Sequence, residues 1–224
     1  METFTPTLDW GSELWISLWW IAKGWAIAAV CTLVVLVLIG RVTQWGRQFW
    51  RITGAYFTGW DSIKVWLYLA VILAMVITGV RISVLLSYQS NDMLTSFQVV
   101  ASGLTSGNEE VRQSGIRGFW MSIGIFSILA VIFIARVLLD MYLFQRFCLR
   151  WRAWLTDRMT GDWLDGRAYY RARFIDETID NPDQRIQSDI DIFTAGNGPQ
   201  PNLPYYGSGN HLLFGAISAV TSMI

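Results

Sequence analysis

Histidine occurs once and cysteine twice in 224 residues, and charged side chains make up only 15% of the chain. A single histidine rules out a two-histidine HExxH zinc site. Cys31 lies inside an apolar run and Cys148 on a basic, aromatic segment, so they suggest neither a disulfide framework nor a metal cluster. Formal net charge is +0, which argues against nucleic acid as a partner. Residues 1–18 contain no lysine or arginine, the wrong charge for a signal-peptide start. Gly54 and Gly59 have the spacing of a phosphate-binding loop, but Trp60 and Asp61 stand where lysine and a hydroxyl residue are needed. Asp189 and Asp191 fail as a calcium loop because Phe193 occupies the next ligand position. No catalytic, cofactor or metal motif survives, and the chain is expected to be no enzyme by itself.

What is abundant is apolar surface. The composition is 53% hydrophobic and 15% aromatic with 13 tryptophans, and mean hydropathy is +0.37. Soluble domains carry about a quarter charged residues, so the charge deficit and the tryptophans together indicate an integral membrane protein with interfacial aromatic belts; the spans traced below make it all-α.

Taken in order, residues 1–18 form an acidic terminus and 19–40 a first span, close to the ~20 residues that cross the hydrocarbon core. Lys23 sits near one end of it and can snorkel. Residues 41–64 mix Arg41, Arg47 and Arg51 with Trp45, Phe49, Trp50, Tyr56 and Phe57, as expected of an elbow helix in the membrane interface. A second span is expected over 65–88, an outer polar loop over 89–117 and a third span over 118–140. Residues 141–195 read as a cytoplasmic helical extension that turns near Gly161 or Gly166 and carries a second, short helix. A Gly/Pro-rich loop over 196–210 leads to 211–224, the start of a fourth span within which the sequence reads as truncated. Arginine and lysine crowd the segments after spans one and three, which places the amino terminus outside the cell and residues 141–195 in the cytoplasm.

Two features carry candidate function. Arg81 interrupts the second span, and an ionisable group inside a membrane is a functional-site candidate by default, here facing a bundle interior or lining a cavity. Arg136 and Asp140, four residues apart at the end of the third span, read as a structural pair. The second feature is the block Asn181, Pro182, Asp183, Gln184, Arg185, Ile186. Pro182 suits a first helical position, Asn181 can cap it, Gln184 can reach back, and Asp183 complements the helix dipole. Ile186, Ile190 and Phe193 then fall on one stripe at i, i+4 and i+7, expected to offer an apolar docking face.

The segments WGRQFWRITGAYF (45–57), SYQSNDM (87–93), GFWMSIGIFS (118–127), DWLDGRAYYR (162–171) and FIDETIDNPDQRIQSDIDIFT (174–194) resemble the transmembrane part of SbmA/BacA-like ABC transporters, relatives of the peroxisomal D-subfamily. The resemblance covers nearly the whole chain. It implies a homodimeric ABC exporter-type (type 1) helical bundle with an extra amino-terminal helix, in a bacterial inner membrane. It also implies a nucleotide-binding domain supplied in cis or trans, with ATP and magnesium bound there and none in this chain. By resemblance, Asn181 to Ile186 belong to the helix that couples the two domains, and the solute is hydrophilic, such as cobalamin or a peptide. A proton-driven BacA-type carrier and a non-transporting membrane scaffold are the alternatives.

Overall fold

The computed structural model describes residues 3–59, 62–165, 170, 182–195 and 217. Five helices account for most of them: α1 (Glu13–Val42), α2 (Gln44–Thr58), α3 (Ser62–Ser106), α4 (Glu109–Leu164) and α5 (Pro182–Ala195). No strand occurs among the described residues. The loop expected over 196–210 and the fourth span over 211–224 lie outside the described residues, Ile217 excepted.

α1, α3 and α4 are each long and apolar enough to cross a membrane. α1 inverts the pattern of a soluble helix: its one buried residue is Glu13, while Leu33 to Leu38 are all exposed. Apolar surface left outside and a carboxylate drawn inside is what lipid rather than water selects. At 45 and 56 residues, α3 and α4 extend ~68 and ~84 Å at 1.5 Å per residue, far beyond a hydrocarbon core of about 30 Å. Both therefore project beyond the bilayer.

The outer loop expected over 89–117 is a correction. α3 stays helical to Ser106, and the chain reverses only at Gly107 and Asn108. Gly107 takes φ 64°, a left-handed turn that glycine allows without strain. Asn108 then caps α4, its Oδ1 accepting from the Glu110 N–H at 3.1 Å. Of the polar residues in that stretch, Gln89, Asp92 and Ser96 are buried along one side of α3, recurring at 3–4 residue spacing. They form a seam with α4, where Gln89 Nε2 donates to the Ser122 carbonyl at 2.7 Å. Gly115 belongs to the same close approach, since a Cβ there would lie 2.7 Å from the Val100 backbone nitrogen. Small residues and side-chain hydrogen bonds are the usual means of helix association in lipid, where apolar burial offers little. The third span is likewise one stretch of α4, which runs through Gly161 to Leu164; Gly166 lies outside the described residues.

The chain divides into two compact units. One unit combines the chain up to Ala29 with Leu73–Leu139, and so contains the α3–α4 seam. Its amino-terminal segment is strapped down: the Thr7 N–H and hydroxyl both donate to the buried Asp92 carboxylate, and the Phe4 N–H donates to Ser114 Oγ at 3.0 Å. The other unit holds Val30–Ile72 and the chain from Asp140 through α5. It is aromatic, with a core of Ile72, Phe144, Phe147 and Cys148 to which Tyr56, Tyr68 and Trp151 add their rings.

Candidate functional site

α2 is a short helix because Thr43 interrupts the run from α1. Thr43 is extended (φ −92°, ψ 146°), and its Oγ1 accepts from the Gly46 N–H at 3.1 Å. The side of α2 that carries Phe49, Thr53, Tyr56 and Phe57 turns inward at i, i+4, i+7 and i+8. Phe147, Trp151 and Trp154 of α4 meet it, with Tyr56–Trp154 centroids 5.1 Å apart. Burial raises the Tyr56 phenol above its ordinary value and Arg150 pulls it the other way, so Tyr56 stays neutral at physiological pH.

α5 is seated on these two helices. Pro182 is its first residue, as the sequence predicts, although Asn181, the expected cap, lies outside the described residues. Phe193 places its ring 5.8 Å from Phe49 and 5.4 Å from Trp151. Arg152 Nη1 donates to Asp191 Oδ1 at 2.6 Å, and Thr194 Oγ1 donates to the Ile190 carbonyl at 2.7 Å. Ile190 is only 6% exposed.

Of the docking stripe expected at Ile186, Ile190 and Phe193, Ile190 is buried and Phe193, 41% exposed, rests one side of its ring on Phe49 and Trp151, so this side of α5 faces the aromatic wall within the chain. The aromatic wall of α2 and α4 supplies apolar surface closer to hand than a second domain, and the stripe anchors the helix there. The outward ridge is Gln184, Ser188 and Ile192 at i, i+4 and i+8, with Ile192 39% exposed. Of the block singled out in sequence, Pro182, Asp183, Gln184, Arg185 and Ile186 fall in the first turns of α5.

Arg81 is the second candidate. Its guanidinium turns onto α1. It pairs with Glu13, donates from Nε to Ser17 Oγ at 3.0 Å, and lies 5.6 Å from the Trp20 ring centroid. Ser17 Oγ in turn donates to Glu13 Oε1 at 2.8 Å. The side chains of Arg81 and Glu13 are 14% and 7% exposed, so the charge is neutralised within the helix pair. Where the sequence alone starts the span at residue 19, α1 begins six residues earlier, at Glu13. Arg136, read as the partner of Asp140, sends its Nε to the Met75 carbonyl at 2.9 Å.

The Gly54 and Gly59 pair falls on α2. Gly54 is an interior residue of the helix and Gly59 its C-cap, so the Gly54 N–H points along the helix and not into a phosphate cradle. Among the described residues, no group of three or more His, Cys, Asp or Glu could hold a metal ion.

Comparisons with known proteins agree with the membrane-spanning helices found among the described residues. The chain is 36% identical over 217 residues to an ABC transporter ATP-binding protein of Haemophilus influenzae, covering 97% of this chain and 32% of that protein. It is 33% identical over 132 residues to one from Synechocystis, covering 58% of this chain and 18% of the relative. It is 30% identical over 126 residues to the inner membrane ABC transporter ATP-binding protein YddA of Escherichia coli, covering 55% and 20%. The chain thus spans about a third or less of the length of these relatives. The family described as ABC transporter transmembrane region 2 matches residues 52–224, from the middle of α2 onward, and the chain belongs to that family of transporter membrane domains.

Proposed function

We propose that this chain is the membrane-embedded portion of an ATP-driven transporter for hydrophilic solutes such as cobalamin or peptides, working as a homodimer in a bacterial inner membrane. In this reading α5 lies on the cytoplasmic side and receives the stroke of a nucleotide-binding domain supplied in cis or trans. The observation that carries the proposal is the seating of α5. A helix of 14 residues is fixed on its inner side by Ile190, Phe193 and Asp191, and keeps an outer ridge of Gln184, Ser188 and Ile192. Force transmission needs a helix that cannot slide on its own support. An aromatic seat gives that, because ring contacts of ~0.5–1.5 kcal/mol add to area burial and hold a defined geometry.

Stripe and ridge make different predictions. In the full-length protein, Ile192→Asp leaves the fold intact and breaks the link between ATP hydrolysis and solute movement. Ile190→Asp instead places a carboxylate in a buried site and lowers the amount of folded protein. Solute-stimulated ATPase activity in proteoliposomes, with folded yield measured alongside, distinguishes the two. An Ile192→Asp variant that expresses normally and keeps solute-stimulated ATPase overturns the proposal.

A further inference from the structure

The outer face of α2 has no role in the transport reading above. Arg47 and Arg51 on α2 and Arg41 in the last turn of α1 are all exposed, and no aspartate or glutamate occurs from Arg41 through Gly59. Among the described residues none of the three guanidiniums meets a carboxylate; the bond described for Arg47 runs from Nη1 to the Arg41 carbonyl at 2.9 Å. Arg47 and Arg51 share one ridge at i and i+4. Trp50 lies beside that ridge, about 60° around the helix from Arg47, while Trp45 and Ile52 lie further round; Trp45 is 61% and Trp50 50% exposed.

The position of α2 identifies what this face meets. The apolar run of α1 ends at Ile39, just before α2, and that of α3 begins at Val65, just after it. At 15 residues α2 is ~22 Å long, too short for a hydrocarbon core of about 30 Å. It connects two spans on one side of the membrane and so lies at the level of the headgroups. Tryptophan is at home at that level, and a guanidinium fork matches a phosphate with two parallel hydrogen bonds. Three cations without counter-charges select a headgroup of net negative charge over a zwitterionic one, whose own ammonium would return a positive charge to the surface.

We infer that the outer face of α2, continued by Arg41 at the end of α1, is a docking surface for anionic phospholipid, with Arg41, Arg47 and Arg51 holding the phosphates and the exposed rings of Trp45 and Trp50 setting the depth. Because the inner face of the same helix carries Phe49 against Phe193, bound lipid also steadies the seat of α5.

The test is a titration of the whole chain in dodecyl maltoside with dioleoylphosphatidylglycerol or dioleoylphosphatidylcholine, with bound lipid counted by native mass spectrometry. The expected result is tighter binding of phosphatidylglycerol. With each basic residue at the surface contributing about a 5-fold gain, R41Q/R51Q weakens that binding ~30-fold and leaves phosphatidylcholine unchanged. R41K/R51K keeps the charge and stays within ~3-fold of the parent. Equal affinity for the two lipids, or an R41Q/R51Q variant that binds phosphatidylglycerol as before, overturns the inference. Inorganic phosphate displacing phosphatidylglycerol at equal concentration overturns the lipid as the ligand.

Discussion

Removing Glu13 tests how the membrane part of this chain accommodates a charge. In Glu13→Ala the Arg81 guanidinium stays in its 14% exposed site without its carboxylate, and Ser17 Oγ loses its acceptor. Breaking a buried pair from one side costs ~3–5 kcal/mol, because an uncompensated charge is left behind. The Nε bond to Ser17 at 3.0 Å and the Trp20 ring at 5.6 Å survive, so a loss of about 3 kcal/mol, the low end, is expected. Removing both charges as Glu13→Leu/Arg81→Met leaves nothing unpaired and restores stability to within ~1 kcal/mol of the parent. Unfolding of the chain in mixed micelles by added dodecyl sulfate, followed by far-ultraviolet circular dichroism, gives the four corners of the cycle. A Glu13→Ala loss below about 1 kcal/mol, or a double variant no better than the worse single one, would refute the reasoning, since a buried and coupled pair cannot behave so.

Three further outcomes are expected. Phe193→Ala removes the ring contacts with Phe49 and Trp151 and costs ~1–2 kcal/mol locally, the side chain being 41% exposed, so α5 amides exchange faster by mass spectrometry while the α3–α4 seam is unchanged. Gly115→Ala puts a Cβ within 2.7 Å of the Val100 nitrogen and lowers stability by about 1–3 kcal/mol, and a Gly124→Ala control, where nothing lies within 4 Å, does not. Asp92→Ala frees the Thr7 N–H and hydroxyl, and exchange in residues 3–9 rises before any other segment responds.

The spans were legible because long apolar runs report directly on lipid, and the start of α5 was legible because Pro182 fixes a helix start locally. Failures came where a residue's role depends on a partner distant in sequence. Gln89, Asp92 and Ser96 read as a loop because polarity alone does not distinguish water from a polar helix seam, although their 3–4 spacing was there to be read. Glu13 and Arg81 are 68 residues apart, and nothing local paired them. The stripe of Ile186, Ile190 and Phe193 was visible, but its direction was not. Phe49, Tyr56 and Phe57, at helical spacing on α2, were the available sign that an aromatic seat lay within the chain to receive it.

The most direct test of the central claim is a cross-link from the outer ridge of α5. In full-length protein with Cys31 and Cys148 replaced, Ile192→Cys is paired with single cysteines across the membrane-facing surface of the nucleotide-binding domain, and disulfide formation is followed with and without ATP. The expected result is a cross-link that depends on nucleotide and halts solute-stimulated ATP hydrolysis. No cross-link from Ile192→Cys to any of these positions, in protein that still transports, would contradict it.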